Sequence, residues 1–115
     1  MQLPEDGMLL RILIGESDKL KGRSLYEAIV LHARELNLAG ATVIRGIMGY
    51  GANTLIHTAK LLELSNDLPV IIEIVDTEEK LAKLLPFLDQ HVLEGLVTLE
   101  KVRIIHYRHR LKSKP

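Results

Sequence analysis

The run Leu68-Pro69-Val70-Ile71-Ile72-Glu73-Ile74-Val75 decides how this chain folds. From Val70 onward it is apolar at both alternating positions, with Glu73 as the exception. A strand with one solvated face alternates apolar and polar residues; a strand enclosed by neighbours does not. The run therefore reads as a central strand, Leu68 to Val75. Asp76 follows as a helix N-cap, with Glu79 in the capping-box position. Leu81, Leu84, Leu85 and Leu88 form the stripe of that helix. Pro86 falls inside the stripe and predicts a kink or shortening near Lys83, because proline has no N–H and clashes with the preceding turn. Gly95 closes the segment, and Leu96 to Tyr107 reads as the last strand.

Upstream, Met8 to Ile14 reads as the first strand. Met8, Leu10, Ile12 and Ile14 line one face; Leu9, Arg11 and Leu13 line the other. Lys19 to Arg23 is a polar connection. Ser24 is a second N-cap candidate, boxed by Glu27, and Leu25 to Leu38 a helix whose apolar residues recur at helical spacing. Asn37 and Gly40 supply its stop signals. His32 lies on its apolar side as a packing residue. Ala41 to Ile47 reads as the second strand. Residues 52 to 67 are ambiguous between a short helix and a hairpin arm. The element order is β-α-β-β-α-β, a ferredoxin-like α+β sandwich with both helices on one sheet face.

Composition sets the outer limits. The chain has 115 residues, 47% hydrophobic and 26% charged, which fits one globular domain over 1–115. Residues 1–7 read as a leader and 108–115 as a basic tail. Formal net charge is zero, so bulk electrostatics favour neither nucleic acid nor an anionic membrane. With no cysteine, disulfides and thiolate metal sites are excluded. No apolar run is long enough to span a bilayer, and no secretory leader pattern opens the chain. The expected location is cytoplasmic.

Two features point to function. The first is Arg45-Gly46-Ile47-Met48-Gly49-Tyr50-Gly51, where a β-branched run ends in clustered glycines. Glycine reaches φ > 0 and admits close approach of backbone, and successive free N–H groups can cradle a phosphate. The order is neither the dinucleotide fingerprint nor a P-loop, and a glycine-rich hairpin entry without ligand gives the same pattern. The second is the uncovered sheet face, read as Leu9-Arg11-Leu13, Val43-Arg45-Ile47 and Ile71-Glu73-Val75. That face is too apolar for a monomer. Self-association face to face, with Arg11, Arg45 and Glu73 in charge pairing, would cover it in a cyclic homo-oligomer.

Several phrases then resemble a known family. Ala39-Gly40-Ala41-Thr42-Val43, Gly49-Tyr50-Gly51, His57-Thr58, Leu68-Pro69 and Ile72-Glu73-Ile74-Val75 resemble, in order and spacing, the PII signalling proteins. With Leu25-Tyr26-Glu27-Ala28 and Arg45-Gly46 added, the chain is similar from Leu10 to Tyr107 to the PII-like group called domain of unknown function 190. The resemblance implies a homotrimer with its sheets turned inward and an adenine nucleotide in each inter-subunit cleft. It also implies signal transduction to a protein partner through the loop after the second strand, with membrane transporters among the partners of such relatives. By the same resemblance Gly46, Gly49, Tyr50, Gly51 and His57 stand at the loop base. Thr42, Glu73 and Val75 of the neighbouring subunit meet the base. The resemblance implies that the basic C-terminal end, one or more of Arg103, Arg108 and Arg110, reaches the phosphates. PII proteins carry G-D-G-K before the last strand, where this chain reads His91-Val92-Leu93-Glu94-Gly95-Leu96. Without that lysine and cradle, AMP or ADP is easier to accommodate than ATP. Residues 52 to 67 contain no tyrosine, so nucleotidylation there is not expected.

Other function classes fit less well. Trimeric ferredoxin-like proteins also bind divalent metal, with His57, His106 and His109 as the candidate ligands. A closed site needs about four ligands, and no H-x-x-x-H spacing supplies them. No nucleophile stands beside a base, so an enzyme is not expected. RNA recognition on this fold needs aromatic residues on the sheet, and the third strand has none.

Overall fold

The computed structural model describes residues 5–50, 57–58 and 68–108, with backbone alone at 57–58. Gly51, His109 and Arg110 lie outside these residues, as does most of the ambiguous stretch 52–67 and all of the tail beyond 108. The elements are β1 (Asp6–Gly15), β2 (Lys19–Leu20), β3 (Arg23–Ser24), α1 (Leu25–Glu35), β4 (Thr42–Arg45), β5 (Met48–Gly49), β6 (His57–Thr58), β7 (Pro69–Asp76), α2 (Glu78–Ala82), α3 (Leu85–His91) and β8 (Leu96–Arg103).

The main sheet has the order β4-β7-β1-β8, antiparallel throughout. Counting only its four strands, this is the ferredoxin-like arrangement, with α1 and the α2–α3 pair as its two crossovers. The expected leader is partly corrected: Asp6 and Gly7 belong to β1, paired with Arg103 and Val102. The polar connection 19–23 is a small hairpin. Lys21 and Gly22 both have positive φ, 52° and 81°, which is the backbone a two-residue hairpin turn requires.

One face of the sheet is sealed. Leu10, Ile12 and Ile14 of β1 and Val70, Ile72 and Ile74 of β7 pack against Leu25, Ile29 and Ala33 of α1 and Leu81, Leu84 and Leu88 of α2–α3. Full burial of an aliphatic side chain stabilises by about 1.5–3 kcal/mol. α1 stops at Glu35, short of Leu38, because Asn37 turns left-handed at φ 62°. Its N–H donates to Arg34 O at 3.0 Å and that of Leu38 to Ala33 O at 3.1 Å, the paired bonds of a Schellman ending. Ser24 precedes the helix without a side-chain cap bond; Leu25 N donates instead to Asp18 O at 2.7 Å.

The second helix is broken where Pro86 predicts. It divides into α2 and α3, with the proline in the first turn of α3, where no intrahelical N–H is needed. Its cap is corrected by one residue. Thr77, not Asp76, is the N-cap and accepts from Lys80 N at 3.2 Å. Asp76 is fully buried and accepts from Ala39 N and Thr77 N, both at 2.7 Å.

The unsealed face differs from expectation in one strand. Thr42 lies opposite Glu73 and Ile44 opposite Ile71, so β4 contributes Thr42 and Ile44 to this face. Val43 and Arg45 lie opposite Ile72 and Val70 and belong to the helix side. Arg45 takes no part in pairing with Arg11 or Glu73; its Nη2 stands 2.9 Å from Glu16 Oε2. A one-residue change of register exchanges every side chain of a strand between faces.

Candidate functional site

The unsealed face has an ion pair at its centre. On β1, Arg11 lies opposite Glu73 of β7 on one side and Thr98 of β8 on the other. Arg11 Nε donates to Glu73 Oε2 at 2.9 Å and Nη2 stands at the same distance; Nη1 is 3.5 Å from Glu100 Oε1. The neighbouring rows are mainly apolar. Leu9 lies opposite Val75, Leu13 opposite Ile71 and Leu96. Leu96 and Ile44 are 55% and 42% exposed, so the apolar surface reaches both edges of the sheet. Glu73 is thus ion-paired to an arginine, the state its position inside an apolar strand requires.

Apart from Thr42 and Glu73, which share its middle row, the candidate ligand residues lie toward the two ends of this sheet. Gly46 and Gly49 lie at the Pro69 end. Gly46 N donates to Pro69 O at 2.7 Å. A Cβ on Gly46 would stand 2.8 Å from Pro69 Cγ, and one on Gly49 would stand 3.0 Å from it. Neither glycine has positive φ. Their absence of a side chain admits the proline ring, and the Gly46 N–H is engaged within the chain rather than turned outward. Gly49 pairs with His57 across β5 and β6. Tyr50 follows, 72% exposed. The base of the loop, as far as it is described, is therefore the β5–β6 pair, with Gly49 against Pro69.

Of the remaining candidates, Thr42 and Glu73 share the middle row of the sheet, and Val75, Arg103 and Arg108 lie toward the opposite end. Thr42 opens β4, and Val75 is the penultimate residue of β7. Six steps of strand separate Val75 from Pro69, about 20 Å at roughly 3.4 Å per residue. Arg103 ends β8 beside Asp6, and its Nη2 stands 2.6 Å from Glu5 Oε1. Ile104 N then donates to Glu5 O. The Tyr107 hydroxyl donates to Ala39 O at 3.0 Å, and Arg108 follows, exposed. Expected as a strand to Tyr107, this last part leaves the sheet after Arg103 and crosses its end.

One chain thus brings the candidates together as two groups, glycines at one end and Val75, Arg103 and Arg108 at the other. Asp76 and Tyr107, which both bond to Ala39, were not singled out as site residues by the sequence. Their shared partner Ala39 lies 37 and 68 residues away along the chain, and only the tertiary fold brings the three together. Among the described residues no three His, Asp or Glu side chains group as a metal site. His106 is exposed; His109 and the His57 side chain lie outside the description. His32 stacks on Phe87 with ring centroids 4.3 Å apart, as a packing residue does. A depression of about 580 Å³ beside it, lined in part by Leu20, Arg23, Leu31 and Phe87, involves none of the candidates.

Residues 7–104 match the DUF190 family, described as an uncharacterized ACR. The chain belongs to that family. A UPF0166 protein of Aquifex aeolicus is 41% identical over 99 residues, covering 85% of this chain and 92% of that one. A UPF0166 protein of Methanocaldococcus jannaschii is 40% identical over 78 residues, covering 68% and 71%. In structure, this DUF190 chain is similar to CPII, a nitrogen regulatory PII-like protein from Thiomonas intermedia, bound to ADP, AMP and bicarbonate. The TM-score is 0.63 at 19% identity, over 86% of this chain and 88% of that one. A CPII structure with ADP, AMP and acetate gives 0.59 at 17%, over 88% and 90%. The shared fold is the PII-like, ferredoxin-like one. No helix among the described residues is long and apolar enough to cross a membrane.

Proposed function

We propose that this protein is a PII-like regulator that binds an adenine nucleotide in clefts between its own subunits. The separation of the two residue groups supports this reading most directly. About 20 Å of strand divides Gly46 and Gly49 from Val75 and Arg108, too far for one small ligand to touch both groups of one chain. Subunits joined through the apolar face would set the loop base of one against Thr42, Glu73, Val75 and the arginines of the next. A homotrimer closes such contacts in a ring.

In that cleft the backbone near Gly49 and Gly51 lies against the nucleotide, with Tyr50 and His57 beside it. Thr42 and the β7 edge meet the base, and Arg103 and Arg108 the phosphates through charge-assisted bonds. AMP and ADP suit the site better than ATP, because the stretch 91–96 lacks the glycine cradle and lysine of PII proteins. Occupancy would be transmitted to a cytoplasmic protein partner through the loop after the second strand. Nucleotide and partner binding are then linked free energies. The role is regulatory rather than catalytic.

Thermal denaturation with AMP, ADP and ATP tests the reading, paired with sedimentation of the free and bound protein. A ligand that binds only the folded state adds RT ln(1 + [L]/Kd), about 2.7 kcal/mol at a hundredfold excess over Kd. The expected result is a rise with AMP or ADP in a trimer. No rise with any adenine nucleotide, or a monomer at every concentration, overturns it.

A further inference from the structure

We infer that Tyr107 is a positioning residue for Arg108, holding it at the Val75 end of the sheet where a nucleotide phosphate would be met. This rests on the nucleotide reading above and names a residue that reading does not use.

The path of the chain carries the argument. Among the described residues β8 is the outermost strand on its side of the sheet, and it ends at Arg103. The next residues turn across the end of the sheet. Ile104 lies over the start of β1: its N–H donates to Glu5 O, and its Cδ1 would stand 2.7 Å from a Cβ on Gly7. Tyr107 then reaches the connection between α1 and β4, on the far side of β7, where its hydroxyl donates to Ala39 O. Segment 104–108 is thus a strap from one edge of the sheet toward the other.

Its anchor point is hydrogen-bonded on both sides. Ala39 N is held by the buried carboxylate of Asp76, whose other oxygen accepts from Thr77 N. Ala39 follows the left-handed Asn37 by two residues and precedes Thr42 by three. The peptide units around Ala39 are therefore fixed to the end of β7 on one side and to Tyr107 on the other. Arg108 is one Cα step, about 3.8 Å, beyond Tyr107. A guanidinium carried on an exposed chain end must be ordered before it binds phosphate, and ordering it in advance spares that cost.

Titration calorimetry of ADP and of adenosine against the full chain tests this, using Tyr107→Phe, Arg108→Ala and the double variant. Loss of a neutral hydrogen bond corresponds to roughly a three- to tenfold change. Tyr107→Phe is expected to weaken ADP by about that factor and to leave adenosine unchanged. The double variant is expected to bind ADP no worse than Arg108→Ala alone, the non-additivity of residues that act as a unit. ADP binding equal to wild type in Tyr107→Phe overturns the inference and leaves the nucleotide reading standing. So does an equal loss for ADP and adenosine, which marks a merely structural bond. A wild-type protein that takes up neither compound overturns both.

Discussion

Arg11 and Glu73 share a 2.9 Å charge-assisted bond at the middle of a sheet face otherwise built mainly from Leu, Ile and Val. In the isolated chain the two side chains are 37% and 32% exposed. Their energetic weight depends on whether that face is covered. Breaking a solvated pair changes stability by about 0–1 kcal/mol. Breaking a covered pair strands a charge and costs roughly 3–5 kcal/mol. Glu73→Ala is therefore expected to dissociate the assembly, read as a shift to smaller species in sedimentation velocity. Arg11→Met with Glu73→Met should restore association. Unchanged sedimentation of Glu73→Ala would refute the face-to-face packing.

Three glycines provide a graded test of backbone packing. A Cβ at Gly95 would stand 2.5 Å from Leu13 O, at φ 153°. One at Gly46 would stand 2.8 Å from Pro69 Cγ, and one at Gly40 would meet nothing within 4 Å. Substitution by alanine is expected to destabilise in that order. Gly46→Ala should cost about 1–3 kcal/mol by overpacking, whereas Gly40→Ala should be near neutral. Urea midpoints measure the ranking. Pro69→Ala should soften the Gly46→Ala penalty, and an undiminished penalty would show that the ring is not its source.

Two helix starts that look alike in sequence are expected to respond differently. Thr77 accepts from Lys80 N, whereas Ser24 makes no side-chain cap bond. Thr77→Ala should lower stability by about 1 kcal/mol. Ser24→Ala should lower it by only a few tenths, because no backbone donor loses its acceptor. Equal losses in chemical denaturation would contradict the assigned caps.

Asp76 is expected to be the most sensitive polar position of the core. Asp76→Ala removes the acceptor of two backbone donors, Ala39 N and Thr77 N. An unsatisfied buried donor costs about 1–3 kcal/mol. Amide hydrogen exchange should report faster opening at Ala39 and Thr77 in this variant than at Ile72. Uniform acceleration across the sheet would mean that the residue acts on global stability alone.

How far the sequence reaches is visible at particular positions. The enclosed run around Glu73 identifies the middle of the sheet, and Pro86 marks the break in the second helix. Asn37 marks a helix end but not its distance, since the left-handed turn takes up three residues that sequence spacing counts as helical. Asp76 and Thr77 are adjacent cap formers, each with a plausible hydrogen-bond partner three residues on. Burial decides between them, because Asp76 faces inward to Ala39. The faces of β4 could not be read from alternation, since Val43 and Ile44 are both apolar and four residues give too short a pattern. For the candidate site, residue types were legible and their division was not. That Gly46 and Val75 lie at opposite ends of the sheet follows from strand pairing, which single residues do not encode. Tyr107 was hidden for the same reason, with its acceptor 68 residues away.

The outermost place of β8 has a consequence for handling the protein. Eight residues of extended chain form one margin of the sheet. Such a margin can template the growth of a sheet from one molecule into the next. Glu100, Lys101 and Arg103 stand along it, all exposed, and their charges oppose stacking in like register. Concentrated salt would mute that repulsion, so fibrous precipitation is the hazard to watch when this protein is stored dense and salty.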